Sequence, residues 1–143
     1  MTTTASLPPA AQHVAVLAFD PCAPAAARHL VARWLGADGC TARTSDVVLI
    51  VSELVTNALR HTHGSCVLTL AVREGVLDIA VTDHSEELPE LRRSRGGDER
   101  GGFGLEIIRG LGGRIRVVPR LGGKTVHVLL PDGAASGPAC GAR

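Results

Sequence analysis

Ser52-Glu53-Leu54-Val55-Thr56-Asn57-Ala58-Leu59-Arg60-His61-Thr62 is the stretch whose reading decides the fold. It reads as the larger part of a helix that starts near Thr44 or Ser45 and stops before Gly64. Either hydroxyl suits an N-cap, and Asp46 complements the positive end of the helix dipole. A step of four residues turns a helix about 40° past a full revolution. Glu53, Asn57 and His61 therefore form one slanted polar row spread over roughly 80°. Val47, Ile50, Val51, Leu54, Val55 and Ala58 make the adjoining apolar face. Polar groups on the shoulder of a buried face are costly to desolvate unless something uses them. The carboxylate can take a proton, the amide oxygen can ligate a hard cation, and the imidazole can contact an anion. An amphipathic helix with polar residues at its boundary gives the same pattern, so the row alone does not decide a function.

The flanking chain sets this helix against a sheet. Upstream, His13 to Phe19 is β-branched and alternating enough for a strand, and Ala25 to Leu35 reads as a helix ended by Gly36, Asp38 and Gly39. Downstream, Cys66 to Arg73 and Val76 to Thr82 read as a hairpin about Glu74-Gly75. Phe103 to Leu111 reads as a short helix, and residues 113–119 and 124–130 as two strands about Gly122-Gly123. The segment 84–102 carries Arg92, Arg93, Arg95 and Arg100 among glycines and acids with no periodicity. About twenty such residues inside a small domain point to a functional lid. The expected fold is a two-layer α/β sandwich of the α+β type. Its sheet is mixed and mostly antiparallel, with the helices on one face. Residues 1–11 and 132–143 read as flexible tails around a single domain over 12–131.

Composition narrows the function classes. A chain of 143 residues suits one core, and 45% hydrophobic residues argue against disorder. The only aromatics are Phe19, Trp34 and Phe103, too few for base stacking along a single strand. A formal charge of +1 gives no electrostatic case for nucleic acid or an acidic membrane. Cys22, Cys40, Cys66 and Cys140 lack zinc-site spacing and fit reduced thiols, and no run approaches the ~20 apolar residues of a membrane span. With no signal peptide in the first residues, a cytoplasmic protein is expected.

Two nucleotide signatures fail. Gly123-Lys124-Thr125 resembles the end of a P-loop, but Val118 stands where the earlier glycine belongs and a strand follows. Gly102-Phe103-Gly104 opens a dinucleotide fingerprint, yet Ile107 replaces the third glycine. Three features remain. They are the Glu53/Asn57/His61 row, the apolar strand Ile79-Ala80-Val81-Thr82 ending in Asp83, and Gly101-Gly102-Phe103-Gly104-Leu105 at a helix start. A carboxylate at a strand end can accept from an exocyclic amine such as that of adenine, although Asp is also common in turns. Small residues at a helix start let backbone N–H groups approach an anion, and they equally serve as a hinge.

In that order the residues resemble the ATP-binding domain of the gyrase/Hsp90/histidine-kinase/MutL superfamily, the Bergerat fold, over about His13 to Leu130. Glu53 to His61 resembles its N box, Asp83 the adenine-reading acid of its G1 box, and Gly102-Phe103-Gly104-Leu105 its G2 box. Thr125 matches a threonine that supports the adenine end. The size resembles the small anti-sigma-factor, serine-kinase-like branch. That resemblance implies ATP and Mg²⁺ as cofactors, with a sigma factor and an anti-anti-sigma-type protein as partners, and it suggests a homodimer. It also implies phosphorylation of a serine on the antagonist, with indirect control of transcription. Glu53 is then the general base and Asn57 the Mg²⁺ ligand. His61, Asp83, Gly102, Gly104, Leu105 and Thr125 bind nucleotide. A non-catalytic, ATP-dependent interaction module is the competing class. The G1 pattern departs from the usual Asp-x-Gly-x-Gly, because Asp83 is followed by His84-Ser85-Glu86-Glu87.

Overall fold

A computed structural model describes residues 11–37, 43–86 and 104–131. Strand β1 (Ala11–Leu17) is followed by helices α1 (Ala23–Ala37) and α2 (Thr44–His61). Strands β2 (Cys66–Arg73) and β3 (Val76–Asp83), helix α3 (Gly104–Gly110), and strands β4 (Arg114–Arg120) and β5 (Gly123–Pro131) complete the order. Residues 1–10 and 132–143 of the expected tails and nearly all of the lid fall outside the described residues, while Ala11, expected in the tail, opens β1.

The five strands form one sheet in the order β1-β2-β3-β5-β4. Every hydrogen-bonded pair is antiparallel. The expected parallel component is absent among the described pairs for a topological reason. The crossover through α3 returns the chain so that β4 runs in the direction of β3, but β5 inserts between them.

Alternation along the strands sorts the two faces. Leu68 and Leu70 of β2, Leu77, Ile79 and Val81 of β3, and Val126, Val128 and Leu130 of β5 are buried on one face. Helices α1 and α2 cover it. Helix α1 contributes Ala23, Ala27, Val31 and Leu35, a stripe repeating every four residues, and α2 contributes Val47, Ile50, Val51, Leu54, Val55 and Ala58. Each fully buried aliphatic side chain here removes enough apolar surface to stabilise by about 1.5–3 kcal/mol. With almost no aromatics, β-branched and leucine side chains make most of the interior, with alanines where the elements approach. The scarce rings work at the margins. Trp34 of α1 stacks on His13 of β1, with centroids 4.9 Å apart and planes 9° from parallel.

The start of α2 differs from expectation. Its N-cap is Arg43, which makes no side-chain cap hydrogen bond. The guanidinium instead bridges three elements. It donates to the Asp46 carboxylate at 2.8 and 3.0 Å, to the Leu111 carbonyl at 2.7 Å and to the Pro131 carbonyl at 2.6 Å. Cross-linking the helix start to the ends of α3 and β5 takes the place of a local cap. The Asp46 charge offsets a cation at the positive end of the helix dipole. At the other end, α2 stops at Thr62, whose backbone turns extended and whose hydroxyl accepts from the Gly64 N–H at 3.3 Å.

Candidate nucleotide site

The polar row lies where the helical spacing puts it. Glu53, Asn57 and His61 are half-buried on α2, beside the fully buried stripe. Among the described residues, no hydrogen bond or ion pair engages the side chain of Glu53 or Asn57. The row runs toward the C-terminal end of α2. There the loop through Gly64 comes against His84, the residue after β3: a Cβ on Gly64 would lie 3.4 Å from the His84 ring. The row and the end of β3 therefore belong to one end of the molecule. Phe19, following β1, closes on the same loop, 5.4 Å from the His63 ring.

At that end Asp83 is buried, with 3% of its surface exposed. The last turn of β3 is organised by its own side chain: Oδ1 accepts the Ser85 N–H at 2.9 Å. That bond shows how the departure from a glycine-rich turn is accommodated, with Ser85 small and itself buried. Glu86 points the other way, accepting the Gly122 N–H at 2.9 Å and tying the turn to the β4–β5 hairpin. Gly123 is required beside it, because a Cβ there would strike the Asp83 carbonyl oxygen.

The sequence reading missed the residue that faces Asp83. It is Lys124, only 2% exposed, whose Nζ donates to both Asp83 oxygens at 3.0 Å and to the Ser85 carbonyl at 3.3 Å. The register explains it. Asp83 pairs with Lys124 and Thr82 with Thr125 across β3 and β5, and successive residues alternate faces. Thr125 therefore points to the face of the sheet opposite Asp83, with its hydroxyl 2.8 Å from that of Thr82 and 3.4 Å from an Arg120 nitrogen. Position 124 faces that carboxylate, and it holds an ammonium.

Cys66 opens β2 next to this pair and is a free thiol with 2% exposure. Burial, and secondarily the Asp83 charge, push the thiol up to about 11. A thiol raised above its unfolded value is held neutral by the fold. That contribution is complete below about 9 and is lost as pH rises through about 11. At pH 8, iodoacetamide should therefore modify the exposed Cys22 and spare Cys66, as read by peptide mass spectrometry. Equal labelling of the two would show that the site end of the sheet opens readily.

Among the remaining predicted residues, Gly104 begins α3 and Leu105 follows it on that helix. Gly102 lies outside the described residues, as do Arg92, Arg93, Arg95 and Arg100. No helix among the described residues is long and apolar enough to cross a membrane.

A half-buried acid–amide–imidazole row on one helix thus lies at the same end of the molecule as a buried acid at a strand end. The family model described as a histidine kinase-like ATPase domain matches residues 17–129, and the chain belongs to that family. Among solved structures, the RsbU and RsbW domains of Rv1364c from Mycobacterium tuberculosis are similar. The match has 22% identity and a TM-score of 0.59, over 85% of this chain and 32% of that one. This chain thus spans about a third of the length of that chain, and the likeness is one of fold. The histidine kinase domain of the Erythrobacter litoralis EL346 blue-light activated histidine kinase matches at 28% identity, over 62% of this chain and 44% of that one, with a TM-score of 0.45. Acinetobacter baumannii histidine kinase AdeS matches at 14%, over 83% and 67%, with a TM-score of 0.48. No curated protein matches the chain significantly.

Membership implies ATP, and the donor set can be tested against it. No cluster of three or more His, Cys, Asp or Glu side chains able to hold a metal occurs among the described residues. One neutral amide oxygen at Asn57 suits Mg²⁺, which takes most of its ligands from phosphates and water. At the other end both Asp83 oxygens are already taken by Lys124.

Proposed function

We propose that the chain is an ATP-binding regulatory protein of the anti-sigma-factor type, a protein serine kinase that phosphorylates an anti-anti-sigma-type antagonist and so controls transcription indirectly. The observation that carries this reading is the Glu53/Asn57/His61 row leading along α2 to Asp83. Glu53 is the residue that binding alone does not require. Its carboxylate, free of described partners, takes the proton of the attacking serine hydroxyl as general base. Asn57 holds Mg²⁺ through its amide oxygen, and His61 stands at the end of the row. Asp83 fixes the adenine, while Gly102, Gly104 and Leu105 present backbone N–H groups to phosphate. When bound, Mg-ATP supplies the phosphoryl group and the metal that offsets its charge. A sigma factor is the second partner. The RsbW domain in the similar Mycobacterium tuberculosis structure is in keeping with this assignment.

The test is incubation with γ-labelled ATP, Mg²⁺ and a panel of anti-anti-sigma-type proteins. Label should appear on a serine of one of them. ATP binding with no transfer to any member would favour the second reading, a non-catalytic module switched by nucleotide occupancy. The Lys124–Asp83 contact bears on both readings alike, since an acid already engaged has to be freed before nucleotide reaches it.

A further inference from the structure

We propose that Lys124 is an internal occupant of the base-reading position, a specificity-determining side chain that holds Asp83 in place of a purine amine and must leave before nucleotide is bound. The inference rests on the nucleotide-binding reading above and adds a gate to it.

The chemistry is one of like replacing like. Asp83 reads a base by accepting a hydrogen bond, and an ammonium is a stronger donor than an exocyclic amine. An ammonium has three N–H groups, and here all three have acceptors: Asp83 Oδ1 and Oδ2, each at 3.0 Å, and the Ser85 carbonyl at 3.3 Å. Oδ1 also holds the Ser85 N–H at 2.9 Å. Both carboxylate oxygens are thus engaged within the protein, and neither Asp83 nor Lys124 is more than 3% exposed. A ligand donor reaching this carboxylate has to displace the lysine.

The lysine is held in position by the backbone. It sits opposite Asp83 in the β3–β5 register, in phase with the buried Val126, Val128 and Leu130. Close approach of the two strands at Gly123 fixes the pair further. Release is nevertheless available, because lysine has a long flexible stem and the pair lies at the ends of both strands. Lys124 is the single lysine of the chain, which makes its environment readable by itself.

Two measurements test the gate. In Lys124→Thr a short hydroxyl can still donate to Asp83 but leaves room for a base. Calorimetry should show Mg-ATP bound at least about tenfold more tightly than by the parent, as expected for freeing one buried charge-assisted hydrogen-bonding site. ATP should also raise the melting temperature of this variant by more than it raises the parent's. Should the variant fold poorly, the parent answers alone. Protein grown with 13Cε-lysine gives one ε-methylene signal, and Mg-ATP should move it from a buried, ion-paired shift to that of a mobile lysine. Equal affinities in parent and variant, or a signal unmoved while calorimetry registers binding, would overturn the gate and leave the nucleotide reading standing. No Mg-ATP binding by either protein would overturn both.

Discussion

A Glu53→Gln protein is expected to transfer phosphate to its partner about 10²–10⁴-fold more slowly than the parent, the usual effect of removing a positioned base. That range corresponds to roughly 2.7–5.5 kcal/mol of barrier. Mg-ATP affinity should remain close to that of the parent. Glutamine keeps the length and shape of the side chain, and Glu53 is half-buried with no described hydrogen bond for the fold to lose. Asn57→Ala, one helical turn along the same row, separates the roles. It should lose Mg²⁺-dependent binding together with turnover, because its amide oxygen is assigned to the metal. General loosening of α2 would affect both variants alike. The measurement is single-turnover transfer from saturating ATP, paired with a direct binding assay. Transfer at the parent rate by Glu53→Gln would remove Glu53 from the chemistry.

What the sequence disclosed about this site depended on whether the signal was local. The row on α2 is set by helical periodicity alone, and the helix spans Thr44–His61 as the pattern implies. The β2–β3 hairpin was equally plain, since Glu74 and Gly75 both adopt the positive φ that a tight turn demands. The pairing of β3 with β5 is different in kind. It joins residues some forty positions apart across α3 and β4, so no turn fixes its register. The resemblance pointed to Thr125 on this strand, and only the register shows that Lys124 is the residue facing Asp83. A usable signal was present in the chain: Lys124 falls in phase with Val126, Val128 and Leu130, all three buried, and a lysine in a core phase needs an acid. The start of α2 was obscured for a similar reason. Thr44 and Ser45 are good local caps, whereas the bonds of Arg43 to Leu111 and Pro131 are long-range. Local chemistry cannot anticipate such bonds.

The fold itself should depend strongly on the acid. Asp83→Asn is expected to destabilise the protein by about 3–5 kcal/mol, the cost of leaving one member of a buried ion pair without its partner. Asparagine is nearly isosteric and its amide oxygen can still accept the Ser85 N–H, so neither packing nor the turn explains a loss of that size. The ammonium does. Lys124 is 2% exposed and would keep only the Ser85 carbonyl and one amide oxygen as acceptors, with no counter-charge in contact. For a domain near this size, such a loss lowers the melting temperature by at least roughly 10 °C. The double replacement Asp83→Asn/Lys124→Met removes both charges and should recover most of the loss, because a neutral, well-packed pair commonly matches a buried ion pair in stability. Thermal and urea melts of the parent, both single variants and the double variant complete the cycle, whose coupling should exceed about 2 kcal/mol. Additive losses would mean that the contact contributes nothing as a pair. Nucleotide affinity of Asp83→Asn therefore has to be measured well below its own melting temperature. A binding defect that persists there belongs to base recognition, whereas one that vanishes on cooling belongs to the fold.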